Sequence, residues 1–191
     1  FTTPKRVFRA KSAEPKTRVW SKDALPSGVD QMTSEQVWYE SKDGTKVSMF
    51  LVYNEDLVKD GSAPTLLYGY GGFNVSLTPH FRESVIPWLN AGGIYAVANL
   101  RGGGEYGESW HQTGKLSNKQ NTFDDFIAAA EYLIAEDYTN SNRLAIEGAS
   151  NGGLLVSAVT TQRPELFGAV LCGVPLTDMV RYTKFGPAKI W

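Results

Sequence analysis

The sequence predicts an α/β fold, a mostly parallel sheet with helices on both faces, and three observations carry that prediction. From Pro64 onward, short apolar runs alternate with helix-patterned stretches, the sign of crossover connections between parallel strands. The clearest of those helices spaces Phe123, Phe126, Ile127, Ala130, Leu133 and Ile134 so that they share one face, which must lie on a sheet. Finally, Glu147-Gly148-Ala149-Ser150-Asn151-Gly152-Gly153 is a Gly-x-Ser-x-Gly segment between a strand-like run, Leu144 to Ile146, and a helix-like run, Leu154 to Thr161.

In chain order, Arg6 to Ala10 and Thr17 to Ser21 alternate apolar and basic residues and read as a β-hairpin. Two strands cannot bury a face alone, so this ribbon is expected to pack on something else. Lys22 to Asp30, with Pro26, Ser27 and Gly28, reads as a linker. Val37 to Ser41 and Lys46 to Tyr53 form a second hairpin around Lys42-Asp43-Gly44-Thr45, because Asp-Gly supplies the left-handed backbone of a tight turn. The predicted parallel strands are Thr65 to Tyr70, Ile94 to Asn99, Arg143 to Ile146 and Ala169 to Cys172. A helical stretch from Phe81 to Asn90 is expected to be interrupted at Pro87 and stopped at Gly92-Gly93. Thr122 with Asp125 is taken as the capping box of the long helix. The domain division that follows is a β-ribbon and linker over 1–30 and an α/β unit over 31–191.

A serine on a sharp strand-to-helix turn is forced into a strained backbone that pushes its hydroxyl out of the sheet. Flanking glycines are needed because a Cβ there would clash. The following helix aims its first amides, and the positive end of its dipole, at the reaction centre, which favours an oxyanion. Tyr68-Gly69-Tyr70-Gly71-Gly72-Phe73-Asn74 leaves the first parallel strand at the end where ligand loops collect. It forms the expected second wall, and a phenolic O–H there can donate to the oxyanion in place of an amide. Leu100 to Gly107 is glycine-rich but lacks both phosphate-loop and dinucleotide spacing, so its glycines are read as crowding at a strand exit.

Composition excludes several classes. With a formal charge of -1 there is no electrostatic footprint for nucleic acid or an anionic membrane, and no apolar stretch is long enough for a membrane span. The chain reads as soluble, its compartment is left open between cytoplasm and periplasm, and no cofactor or metal is called for. Cys172 lies in an apolar run and is read as a buried structural thiol. The chain opens at Phe1 without methionine or a signal-like region, so a trimmed or partial chain is expected.

A serine nucleophile needs a base, and the base needs a carboxylate to orient it. The only histidines, His80 and His111, precede Ser150, whereas proteins built on this elbow place the acid and histidine after it. Both are read as structural or surface residues, and Asp178, the sole aspartate after the elbow, as structural.

Tyr68 to Asn74, Asn99 to His111, Lys119-Gln120-Asn121, and Ser150 to Val156 through Gln162 to Gly168 together resemble the prolyl oligopeptidase family of serine peptidases over residues 32–191. The resemblance implies an α/β-hydrolase domain capped by a β-propeller, with Phe1 to Ser21 as the last propeller strands. It implies cleavage of short proline-containing peptides after proline. It implies Ser150 as nucleophile, the Asn151 amide and Tyr70 hydroxyl as oxyanion hole, and Phe73 with Trp191 as the walls receiving proline. Ala149 stands where the family has glycine. The propeller and a segment after Trp191 carrying the catalytic aspartate and histidine are expected to be missing. A carboxylesterase on the same fold, or a non-catalytic fragment, remains an alternative reading.

Overall fold

The computed structural model of the 191-residue chain describes residues 1–12, 16–22 and 26–186. Strands β1 (Arg6–Arg9) and β2 (Arg18–Lys22) pair antiparallel as an isolated ribbon with an irregularity between Val7 and Phe8. Its Val7, Phe8, Val19 and Trp20 are all exposed, as expected of two strands with no layer to cover them.

Six further strands make one sheet: β3 (Met32–Glu40), β4 (Lys46–Asn54), β5 (Thr65–Tyr68), β6 (Ile94–Ala98), β7 (Leu144–Ala149) and β8 (Ala169–Gly173). Their order is β3-β4-β6-β5-β7-β8. The β3–β4 hairpin pairs antiparallel and joins β6 antiparallel, while β6, β5, β7 and β8 run parallel. The hairpin turns where Asp43-Gly44 predicts it, with the Gly44 φ at 80° and the Thr45 amide donating to Asp43. Its first strand begins five residues earlier than the sequence suggests, at Met32, whose side chain is buried.

Helices cover both faces. On one, α3 (Lys119–Ala135) and α4 (Asn151–Gln162) pack Phe126, Ala130, Leu133, Leu155, Val156 and Val159 onto Leu51, Leu67, Ala96 and Ile146. On the other, α1 (Ile86–Asn90) and the turn before it set Val85, Ile86 and Leu89 against Val52, Tyr95 and Val97. A short helix, α2 (Glu108–Gln112), lies in the connection from β6 to α3. None of the helices among the described residues is long and apolar enough to cross a membrane.

Three expectations are corrected. Pro87 does not interrupt α1 but sits in its first turn, where a missing N–H costs nothing. Thr122 and Asp125 do not cap α3, which starts at Lys119; both are buried inside the helix. The Thr122 hydroxyl donates to the Arg101 and Gly114 carbonyls, and Asp125 takes the buried Arg101 guanidinium at 2.6 Å. Cys172 is exposed, because β8 is an edge strand with no described neighbour on its outer side.

Candidate active site

Strand β7 ends at Ala149 and α4 begins at Asn151, so Ser150 alone makes the turn. Its φ of 58° and ψ of -116° put a non-glycine residue in a strained region. The turn is as crowded as the sequence requires: a Cβ on Gly148 would collide with the Gly152 carbonyl, and one on Gly152 would stand 2.7 Å from the Gly69 carbonyl oxygen. Ala149, by contrast, is exposed, so its methyl group fits. The Ser150 amide donates to the Gly173 carbonyl at 2.9 Å, tying the turn to β8. No hydrogen-bond partner meets its hydroxyl among the described residues. As the first helical residue, Asn151 has an amide with no carbonyl four residues back inside the helix.

Beside the elbow runs the loop that leaves β5. The Asn151 side chain donates from Nδ2 to the Tyr70 carbonyl at 2.6 Å, so the residue after the serine also holds this loop. Gly72 lies flat on the Asn151 carboxamide, where any Cβ would collide. Phe73 and Asn74 follow with φ of 54° and 57°, and the Asn74 amide closes onto the Gly102 carbonyl at 3.2 Å. Gly102 is packed against this loop, in keeping with crowding as the reason for the glycine-rich stretch.

Gly72, Phe73 and Asn151 line a cavity of about 460 Å³ with Leu154, Leu176 and Met179. His111 and Lys119 complete its other side. The Lys119 ammonium donates to the Gly71 carbonyl at 2.6 Å, and burial lowers its pKa to about 8. His111, read from the sequence as structural or surface, and Lys119, to which no site role is assigned there, both stand at this wall. His111 does have structural contacts: its Nδ1 lies 2.7 Å from the Gly102 carbonyl and 3.2 Å from the Asn74 amide nitrogen, and the tautomer decides which of the two it bonds. His80 is exposed, with Nδ1 3.0 Å from the Thr78 carbonyl. Asp178 pairs with Arg181 three residues on. None of these three bonds to Ser150, and Trp191 lies outside the described residues.

The structure therefore brings Ser150, Asn151, Tyr70 and Phe73 to one strand exit. Residues 79–190 match the model of the prolyl oligopeptidase family. The chain belongs to that family. The prolyl endopeptidase of Elizabethkingia meningoseptica is 46% identical over all 191 residues. A solved prolyl endopeptidase structure superposes with a TM-score of 0.96 at 60% identity, over 100% of this chain and 28% of that one. The post-proline cleaving enzyme of Rickettsia typhi gives 0.89 at 43% identity, over 92% of this chain and 26% of that one. The chain spans about 27% of the length of the Elizabethkingia relative. Its sheet is part of the family's α/β-hydrolase fold, and an antiparallel ribbon precedes it.

Proposed function

We propose that the chain is part of a serine endopeptidase that hydrolyses short peptides on the carboxyl side of proline, with Ser150 as its nucleophile. The observation that carries this reading is the Ser150 backbone, a strained turn exposing a hydroxyl beside the free amide of Asn151. Such strain persists only where the surroundings over-determine it, as the packed glycines do here. Residues 1–30 are read as the ribbon and linker, and 31–191 as the catalytic unit.

In this reading Ser150 Oγ attacks the carbonyl carbon that follows the proline ring. The carbonyl oxygen becomes an oxyanion, which accepts hydrogen bonds from the Asn151 amide and the Tyr70 hydroxyl. Phe73, and by family resemblance Trp191, offer flat apolar walls to the pyrrolidine ring, whose fixed φ lowers the cost of ordering it. The amine departs with a proton, and water then releases the acyl group from Ser150. The base that takes the Ser150 proton is assigned to a part of the longer protein other than these residues. Neither His80 nor His111 hydrogen-bonds the Ser150 hydroxyl among the described residues.

The test is cleavage by the full-length enzyme of substrates matched except for proline or alanine before the scissile bond. A few methylenes in an apolar pocket are worth about 1–3 kcal/mol, so kcat/KM should favour proline by roughly ten- to two-hundredfold. Ser150→Ala should abolish both activities. Equal rates on the two peptides, or ester hydrolysis without peptide cleavage, would overturn the assignment.

A further inference from the structure

Two consecutive carbonyls of the loop after β5 are held from two different helices. The Tyr70 carbonyl accepts from Asn151 at the start of α4, and the Gly71 carbonyl accepts from Lys119 at the start of α3, each at 2.6 Å. These oxygens belong to the peptide planes on either side of the Gly71 Cα, so fixing both planes fixes that residue's only two soft torsions. Gly71 has φ of 61°, and Phe73 and Asn74 are also in the left-handed region. A loop with two non-glycine residues there does not hold itself open and relaxes unless the surroundings impose the shape.

We propose that Lys119 is a positioning residue for this site: its ammonium clamps the Gly71 carbonyl and so holds the Tyr70 hydroxyl and the Phe73 ring against the Ser150 elbow. The inference rests on the proposed role of Ser150 and goes beyond it in assigning a part to a residue that bonds the loop and not Ser150. Lys119 is otherwise costly where it stands. Its side chain is partly buried beside Phe123, and no carboxylate is paired with it among the described residues. A solvated lysine would give up little by turning outward, so its retention against a backbone oxygen marks that bond as its use. The titratable side chains sharing its cavity are His111 and Lys115 from the connection before α3 and Tyr182 from the opposite wall. On its own helix, Asp124 is turned to Gln120.

The test compares wild-type full-length enzyme with Lys119→Met, which removes the donor at similar side-chain length, and Lys119→Gln, which keeps a neutral N–H. A hydrogen bond from a charged group typically accounts for about ten- to a hundredfold in an equilibrium. Lys119→Met should therefore lower kcat on a post-proline anilide by about that factor, with a smaller loss in Lys119→Gln. Amide hydrogen exchange in the peptide spanning residues 70–75 should speed up at least about tenfold in Lys119→Met, while exchange around Phe126 stays unchanged. Deprotonation weakens the clamp, so wild-type kcat should also fall on the alkaline side near pH 8, and Lys119→Met should lose that limb. If Lys119→Met unfolds, Lys119→Gln carries the exchange test.

Exchange does not depend on activity, so the two readings fail separately. Wild-type enzyme that cleaves after proline, with kcat and loop exchange unaltered by Lys119→Met, overturns the clamp. Faster loop exchange in a protein that does not cleave after proline upholds the clamp and overturns the proposed function.

Discussion

At one margin of the six-stranded sheet, β3 carries Glu35, Gln36 and Glu40 among its apolar residues; at the other, β8 reads Ala-Val-Leu-Cys-Gly without a charge. Charged side chains on an edge discourage pairing with another chain, and β3 has them. Glu35 is also used inward, accepting from the Tyr53 and Tyr138 hydroxyls at 2.8 Å each. Burial and that carboxylate push the Tyr53 phenol up to about 12. Next to this margin Arg101, only 4% exposed, joins β6 to α3 through Asp125 and to the β3–β4 turn through Asp43, where its hydrogen bonds hold the Asp43 carboxyl well below the usual range. Around β8 the opposite holds. Leu171 is 48% exposed, and the neighbouring Val174 and Val180 are 78% and 91% exposed. The β3 margin is finished as a surface, whereas β8 has the sequence of an interior strand. Ser150 stands one strand in from β8, between the two regimes.

The largest effect expected from this contrast is at Arg101. Removing one partner of a buried ion pair leaves the other charge uncompensated, at a cost of about 3–5 kcal/mol. Arg101→Leu should lower the urea-unfolding stability of the full-length protein by that amount, and a loss near zero would show that the β3 margin is not held by this cluster.

Next is Tyr70→Phe, which probes the site and not the scaffold, since the Tyr70 hydroxyl has no hydrogen-bond partner among the described residues. Losing one oxyanion donor typically costs about 2.7–4 kcal/mol in the transition state. The kcat of the full-length enzyme should fall roughly a hundred- to a thousandfold with the melting temperature unchanged; a change in KM alone would reassign Tyr70 to substrate binding.

The smallest expected effect is also the one that breaks the comparison most readily. If β8 is an interior strand of the longer protein, Leu171→Ala there should cost at least about 2 kcal/mol, as core leucines do. A cost within about 0.5 kcal/mol, the usual range for surface positions, would make β8 a true edge.

Much of this was legible in the sequence because it rests on local pattern. The strand positions, the long helix, the elbow and the glycine loop all follow from periodicity and from residues that permit tight turns. What escaped depends on distant partners. Thr122 and Asp125 have the letters and spacing of a capping box, and nothing local tells that motif from two buried groups serving Arg101. Cys172 sits in an apolar run that reads as core, but burial belongs to neighbours, and on its outer side the described chain supplies none. Lys119 has no role assigned from the sequence, because only the fold brings the Gly71 carbonyl to its ammonium.

The central claim is that Ser150 is the nucleophile, and covalent labelling tests it most directly. Full-length enzyme should be treated with a fluorophosphonate, which an activated serine attacks at phosphorus with loss of fluoride, and the adduct mapped by peptide mass. One adduct is expected, on the peptide containing Ser150, formed in step with loss of post-proline cleavage and absent in Ser150→Ala. An adduct on a different serine, or full inactivation with Ser150 unmodified, would contradict it.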